Sequence, residues 1–319
     1  MKNNHRLKII LLNIFLLCLT LIFATAVHSE PADDTEDESG FSFTIGTKGY
    51  YSSGVAEDNF YYKPFGELEY THPFFTAMAG GYRYQNYQIT DGYGNYSTIN
   101  FNQGGGELTL TPVKWLEFGG SYLYAGGDKS YKSGEYSGAL TLYFSPFTIS
   151  GDYTRKKTSY TFDLTEVKRT DYDYSGTLEY EISDTVSVEG EYTFLNNHFD
   201  TLDYDYNQKI GRLGAILTFS ESFNLMFGAS AGVDSSKYSI YGGDASLTAR
   251  FFGGLKLTLL YNYYYYAPPS QGSSGTGGRK GGTVTTTDGS TQTNPFLKTS
   301  LVGESYSSHT LGAGISYTF

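Results

Sequence analysis

From residue 41 onward the chain alternates apolar and polar positions in runs of about ten to fourteen residues. Phe41, Phe43 and Ile45 open the pattern. Leu116, Phe118, Tyr122 and Tyr124 repeat it, as do Tyr136, Leu140, Leu142 and Phe144, and later Leu255, Leu257, Leu259, Tyr261 and Tyr263. A period of two places each set on one face of a strand and the intervening polar residues on the other. Tight polar turns at Thr71, Thr111, Ser145, Ser183, Ser220 and Phe252 separate the runs at one end. Longer connections are expected at 54–59, 91–95, 126–134, 156–169, 196–203, 234–239 and 267–304. Six turns and seven loops predict about fourteen strands, an even number that returns both termini to the short-turn rim. Ile99 and Phe101 have opposite parity to Leu108 and Leu110, which predicts a bulge at Gly104 to Gly106.

Aliphatic residues occupy the middles of the apolar faces and aromatic residues their ends. Tyr crowds the loop side, while Phe and the lone Trp115 sit on the turn side. Two aromatic girdles around an apolar band are what a lipid-facing surface requires. A secreted sandwich would satisfy the same alternation with its apolar face turned inward. The ends of the chain favour the membrane.

In the last strand Leu311, Ala313, Ile315, Tyr317 and Phe319 share one parity, and the final residue is aromatic. This ending resembles the C-terminal signal of Gram-negative outer-membrane β-barrels. The resemblance implies an all-β fold, a transmembrane antiparallel up-and-down β-barrel in the cell outer membrane. It also implies that these five residues serve as the assembly signal, read by the barrel-assembly machinery. The expected partners are outer-membrane lipids, that machinery, periplasmic chaperones and small hydrophilic solutes, with further copies of the chain as an open alternative.

Residues 1–29 read as a signal peptide: Lys2, Arg6 and Lys8, then an apolar run from Ile9 to Phe23, with cleavage after Ala26 or after Ser29. Leu17 precedes Cys18 where lipid attachment wants a small residue, so no lipoprotein is expected. Residues 30–40 read as a disordered acidic periplasmic tail, its clustered carboxylates solvated rather than holding calcium. The barrel then occupies 41–319, with a Gly-, Ser- and Thr-rich extracellular loop near 267–304. Cys18 is the only cysteine, so the mature chain is expected to lack disulfides.

Composition fits this picture. Only 39% of the 319 residues are hydrophobic, yet 32 are Tyr and 39 are Gly, as expected for strands half in lipid and half in water. A net charge of −11 argues against nucleic acid. If one parity faces lipid, the other lines a lumen and carries Glu67, Glu69, Glu107, Glu117, Glu135, Asp152, Glu179, Glu181, Glu189 and Glu191. The basic members are Arg212, Arg250 and Lys256, with Lys48 and Arg83 elsewhere. Most of the carboxylates lie close to the short turns, forming an acidic arc, and Arg250 and Lys256 are expected on the opposing wall. That arrangement resembles the transverse field of general porin constrictions, and carboxylate rings favour cations. With 183–185 as the turn, Glu179 falls opposite Glu189, an unfavourable like-charge pair. A neighbouring cation, a raised pKa, a bound divalent ion or screening by open water would relieve it.

No metal-ligand spacing or cofactor motif appears, and no cofactor is expected. His309 follows Ser308 directly, but neighbours on a strand point to opposite faces and do not form a nucleophile–base pair. No enzymatic activity is therefore expected. The sequence supports a porin-like channel for small hydrophilic solutes that prefers cations. The alternative is a non-conducting barrel that binds a surface ligand or protein partner through its loops.

Overall fold

The computed structural model describes residues 39–54, 58–91, 95–200, 202–220, 222–251, 254–268 and 305–319. The expected signal peptide, most of the expected acidic tail and most of the expected long loop lie outside them. Fourteen strands follow in order: β1 (Gly40–Ser53), β2 (Asn59–His72), β3 (Phe75–Thr90), β4 (Tyr96–Val113), β5 (Leu116–Gly127), β6 (Lys132–Phe144) and β7 (Phe147–Phe162). Then come β8 (Thr165–Ser183), β9 (Val186–Phe199), β10 (Tyr204–Ser220), β11 (Phe223–Asp234), β12 (Ser239–Arg250), β13 (Leu255–Ala267) and β14 (Tyr306–Thr318). Each pairs antiparallel with its sequence neighbours, and β14 pairs with β1, closing the barrel. Closure satisfies every edge, which is what lets a sheet cross lipid.

Apart from Tyr143, whose hydroxyl reaches Glu117 on the inner face, the large apolar side chains that remain exposed on the strands fall on one parity. Phe43, Leu68, Leu140, Leu178 and Leu213 are 44%, 47%, 47%, 50% and 74% exposed. Trp115, Phe144 and Phe319 ring the short-turn end, and Tyr51, Tyr122, Tyr136, Tyr174 and Tyr241 ring the other. On β6 the belt runs from Tyr136 to Phe144. Eight steps make about 27 Å of strand, or about 20 Å along the normal at the usual tilt. A continuous apolar belt of that height is a lipid-facing surface.

The seam joins Ile45 to Tyr317, Thr47 to Ile315, Gly49 to Ala313 and Tyr51 to Leu311. Phe319 adds a further pair beyond the strand: its N–H donates to the Phe43 carbonyl at 2.9 Å, and the two rings stack at 6.2 Å. The terminal aromatic residue therefore finishes the ladder that closes the barrel.

Three local expectations are corrected. Gly104, Gly105 and Gly106 pair regularly with Gly81, Gly80 and Ala79, so no bulge lies there. The irregularity is in β3, between Tyr84 and Tyr87. Asn86 takes the left-handed conformation at φ 56°, which Asn tolerates, and its N–H donates to Asn100 Oδ1 at 3.1 Å. The span 156–169 is no loop: β7 and β8 run on to a two-residue turn at Asp163 and Leu164, both with positive φ, as a tight hairpin requires. Finally, Arg83 lies on the outward parity, because its neighbour Tyr82 faces inward and reaches Glu67.

Candidate functional site in the barrel interior

The register assigns each predicted interior residue. Cα pairing places Thr44 beside Glu67, Ser42 beside Glu69, Met78 beside Glu107, Ser121 beside Glu107, and Glu117 beside Thr141, all on the parity opposite the lipid belt. Glu135 pairs with Lys156, Asp152 with Ser175, Glu181 with Ser187, and Glu191 with both Thr177 and Arg212. Arg250 pairs with Lys256 on β12 and β13, which stand seven strands from β5 and β6 in a ring of fourteen. Lys48 pairs with Gly314 of the seam and with Lys63 of β2.

Glu135 departs from the expected level. It sits four residues into β6 from the long-loop end and meets Lys156 Nζ at 3.5 Å. It therefore belongs to a second tier, far from the short turns.

Glu179 and Glu189 are direct partners across β8 and β9. The cation that relieves the pair is Arg212 on β10. Its guanidinium binds Glu189 Oε1 through Nη1 and Asp244 through Nε at 2.8 Å and Nη2 at 2.7 Å. The fork shape of the guanidinium suits this bidentate grip. Gly214 and Gly228 form its floor: a Cβ on Gly228 would lie 2.7 Å from Arg212 Nε, and one on Gly214 would lie 2.9 Å from Nη1. The two glycines leave the room the side chain uses to lie along the wall. Asp244 belongs to this network although no pattern in the chain singles it out, since it sits alone in the Gly-rich start of β12. Among the described residues, no group of three or more His, Cys, Asp or Glu could hold a metal ion.

Toward the long-loop end the interior becomes apolar. Ile89, Ile99, Phe101, Ala125, Tyr131, Tyr160, Phe162, Val167 and Phe199 form one buried cluster, with Tyr84, Tyr87, Leu202 and Tyr204 packed against it. Phe101 stacks on Tyr84 at 4.3 Å and on Tyr131 at 4.5 Å, and Tyr87 meets it edge-on at 5.4 Å. The Tyr160 hydroxyl donates to the Thr90 carbonyl, joining β7 to the end of β3 four strands away. On the remaining arc, Tyr206 donates to Asp234 Oδ2 at 3.0 Å, and Tyr266 stacks on Tyr306 at 4.5 Å. An aromatic neck thus follows the polar lumen along the axis. Ser308 lies on the inward parity and His309 on the outward one, where His309 Nδ1 is 3.0 Å from the Tyr261 hydroxyl.

No protein-family profile matches the chain, and no curated protein sequence does either. Similarity appears among solved structures. The CymD monoaromatic hydrocarbon channel superimposes with a TM-score of 0.55 at 11% identity, over 88% of each chain. A bacterial polysaccharide outer membrane secretin does so with a TM-score of 0.51 at 7% identity, over 90% of this chain and all of the other. By fold, this chain is a closed fourteen-stranded up-and-down β-barrel of the outer-membrane type.

Proposed function

We propose that the barrel is an outer-membrane channel for small hydrophilic solutes that prefers cations. The observation that carries this reading is the charge of the inward parity on β2 to β9. Glu67, Glu69, Glu107, Glu117, Glu179, Glu181 and Glu191 share it with few cations, of which Lys156 is engaged by Glu135. Arg212, the cation nearest the opposed glutamates, is held between Glu189 and Asp244 and leaves no positive excess. Carboxylates in a narrow low-dielectric passage raise the local cation concentration. The fold shared with CymD, a channel by description, supports the same reading.

The test is single-channel recording in planar bilayers across a salt gradient. The expected result is a discrete conductance with a reversal potential of cationic sign. Anionic selectivity would overturn the acidic-arc argument while leaving a channel. A second reading rests on the aromatic neck: packed shut, it would make a non-conducting barrel that binds a ligand or partner through its loops. Silence in the bilayer, with the same protein migrating as a folded barrel, supports that one. CymD is described as conducting monoaromatic hydrocarbons, and the neck offers rings against which a flat apolar solute could stack. Block of the salt current by a monoaromatic compound checks this point.

A further inference from the structure

The outward face at the long-loop end of β6, β7 and β8 carries a patch that the lumen does not explain. Lys132, Arg155, Lys157 and Lys168 all lie on the lipid-side parity. Lys132 and Lys168 are each Cα partners of Ser159, while Lys157 pairs with Gly134 and Arg155 with Tyr136. Arg155 and Lys157 are about 7 Å apart along β7, Lys132 and Lys168 each lie diagonal to Lys157 at about 7–8 Å, and Lys132 and Lys168 stand about 10 Å apart on either side of β7. The three lysines are exposed. Glu166 shares the face and pairs with Lys168 at 2.9 Å. Among the described residues, Lys132, Lys157 and Arg155 form no ion pair within 4.0 Å.

Like charges clustered on a sheet repel, and in a chain of net charge −11 such clustering needs a compensating anion. Arg155 adds a fourth positive charge to the patch, its guanidinium 5.6 Å from the Tyr172 ring centroid. Tyr136 is level with Arg155, and Tyr153 and Tyr174 lie two residues closer to the apolar belt, with ring centroids 5.0 Å apart. Rings at that level mark the boundary between acyl chains and headgroups. The four cations therefore stand at headgroup depth, on the lipid side. By contrast, among the described residues the outward strand positions of the short-turn half carry no Lys or Arg.

We propose that this patch binds the phosphate groups of a phosphorylated membrane lipid in the leaflet at the long-loop rim. The tyrosines lie along its acyl chains, the lysines pair with its phosphates, and the Arg155 guanidinium adds a fourth positive charge beside them. The assignment is independent of whether the lumen conducts.

The experiment titrates the full-length barrel in zwitterionic detergent with lipid A carrying both phosphates, and reads the rise in thermal unfolding temperature. Dephosphorylated lipid A and inorganic phosphate are titrated in parallel. Saturable binding of the phosphorylated lipid is expected, with little from either control. K157Q should weaken it about fivefold, and the K132Q/R155Q/K157Q/K168Q variant by at least about a hundredfold. The K132R/K157R/K168R variant should bind as the wild type does. Equal binding by the quadruple variant, or by dephosphorylated lipid, overturns the proposal. Inorganic phosphate binding as tightly as the lipid would reveal a free-anion site and also overturn it. If the quadruple variant fails to show heat-modifiable migration, the K157Q titration decides alone.

Discussion

Arg212 offers the sharpest test of the interior. Replacing it with Gln leaves Glu189 facing Glu179 across β8 and β9 without its cation, and leaves Asp244 without its bidentate partner. The side chains of Arg212, Glu189 and Asp244 are 13%, 12% and 14% exposed, so they are neither dry nor freely solvated. Breaking a fully buried pair costs about 3–5 kcal/mol, whereas a surface pair is worth about 0–1 kcal/mol. A lumen wall at this exposure lies between these limits, and R212Q should cost about 2 kcal/mol. Equilibrium urea unfolding of the barrel in lipid vesicles measures it as a lower midpoint at unchanged slope. The R212Q/E189Q/D244N variant should return to within about 1 kcal/mol of the wild type, because three neutral amides carry no stranded charge. A loss below about 0.5 kcal/mol for R212Q, or the same loss in the E189Q/D244N background, would refute the assigned network.

Four further outcomes follow from the same geometry. G228A should cost about 1 kcal/mol by displacing the guanidinium that a Cβ would approach to 2.7 Å, and the cost should vanish in the R212Q background; unfolding midpoints of the double-mutant cycle check it. F101A should cost about 3–5 kcal/mol, since the ring is 4% exposed and wedged between Tyr84 and Tyr131; it should also enlarge any channel current, measured in bilayers. E179Q/E181Q should lower the cation preference while sparing the Arg212 network, and an unchanged reversal potential would remove these residues from the ion path. Deleting Phe319 removes its backbone pair with Phe43 and their ring contact, so the fraction migrating as a closed barrel after refolding should fall.

The belt, the strand number and the seam were legible because two solvents dictate them. A strand with lipid on one side and water on the other must alternate, and tight turns then fix register without further information. The S-D-T turn is the clearest case: placing it at 183–185 sets Glu179 against Glu189, and the register does the same. The ion partner of that pair was not legible. Arg212 comes from the next strand, and Asp244 from a Gly-rich stretch with no apolar pattern to assign its face. The Asp163–Leu164 turn was missed because neither residue announces the positive φ it adopts.

The aromatic neck was hidden by a rule applied beyond its range. Ile99 and Phe101 break parity with Leu108 and Leu110, and a bulge is the natural reading for a strand that stays in the membrane. Yet β4 is regular from Tyr96 to Leu110, and what changes is the surroundings. Below the tyrosine girdle the outside is lipid and the inside is wet, so apolar residues face out. Above it the outside is aqueous and the inside is packed, so apolar residues face in. Tyr160, Phe162, Val167 and Phe199 obey the same inversion on β7, β8 and β9. A parity switch in an unbulged strand of this barrel thus marks the level at which the strand leaves the membrane. The patch of Lys132, Arg155, Lys157 and Lys168 lies close to that level on the outer face, where a barrel meets the charged groups of its lipids.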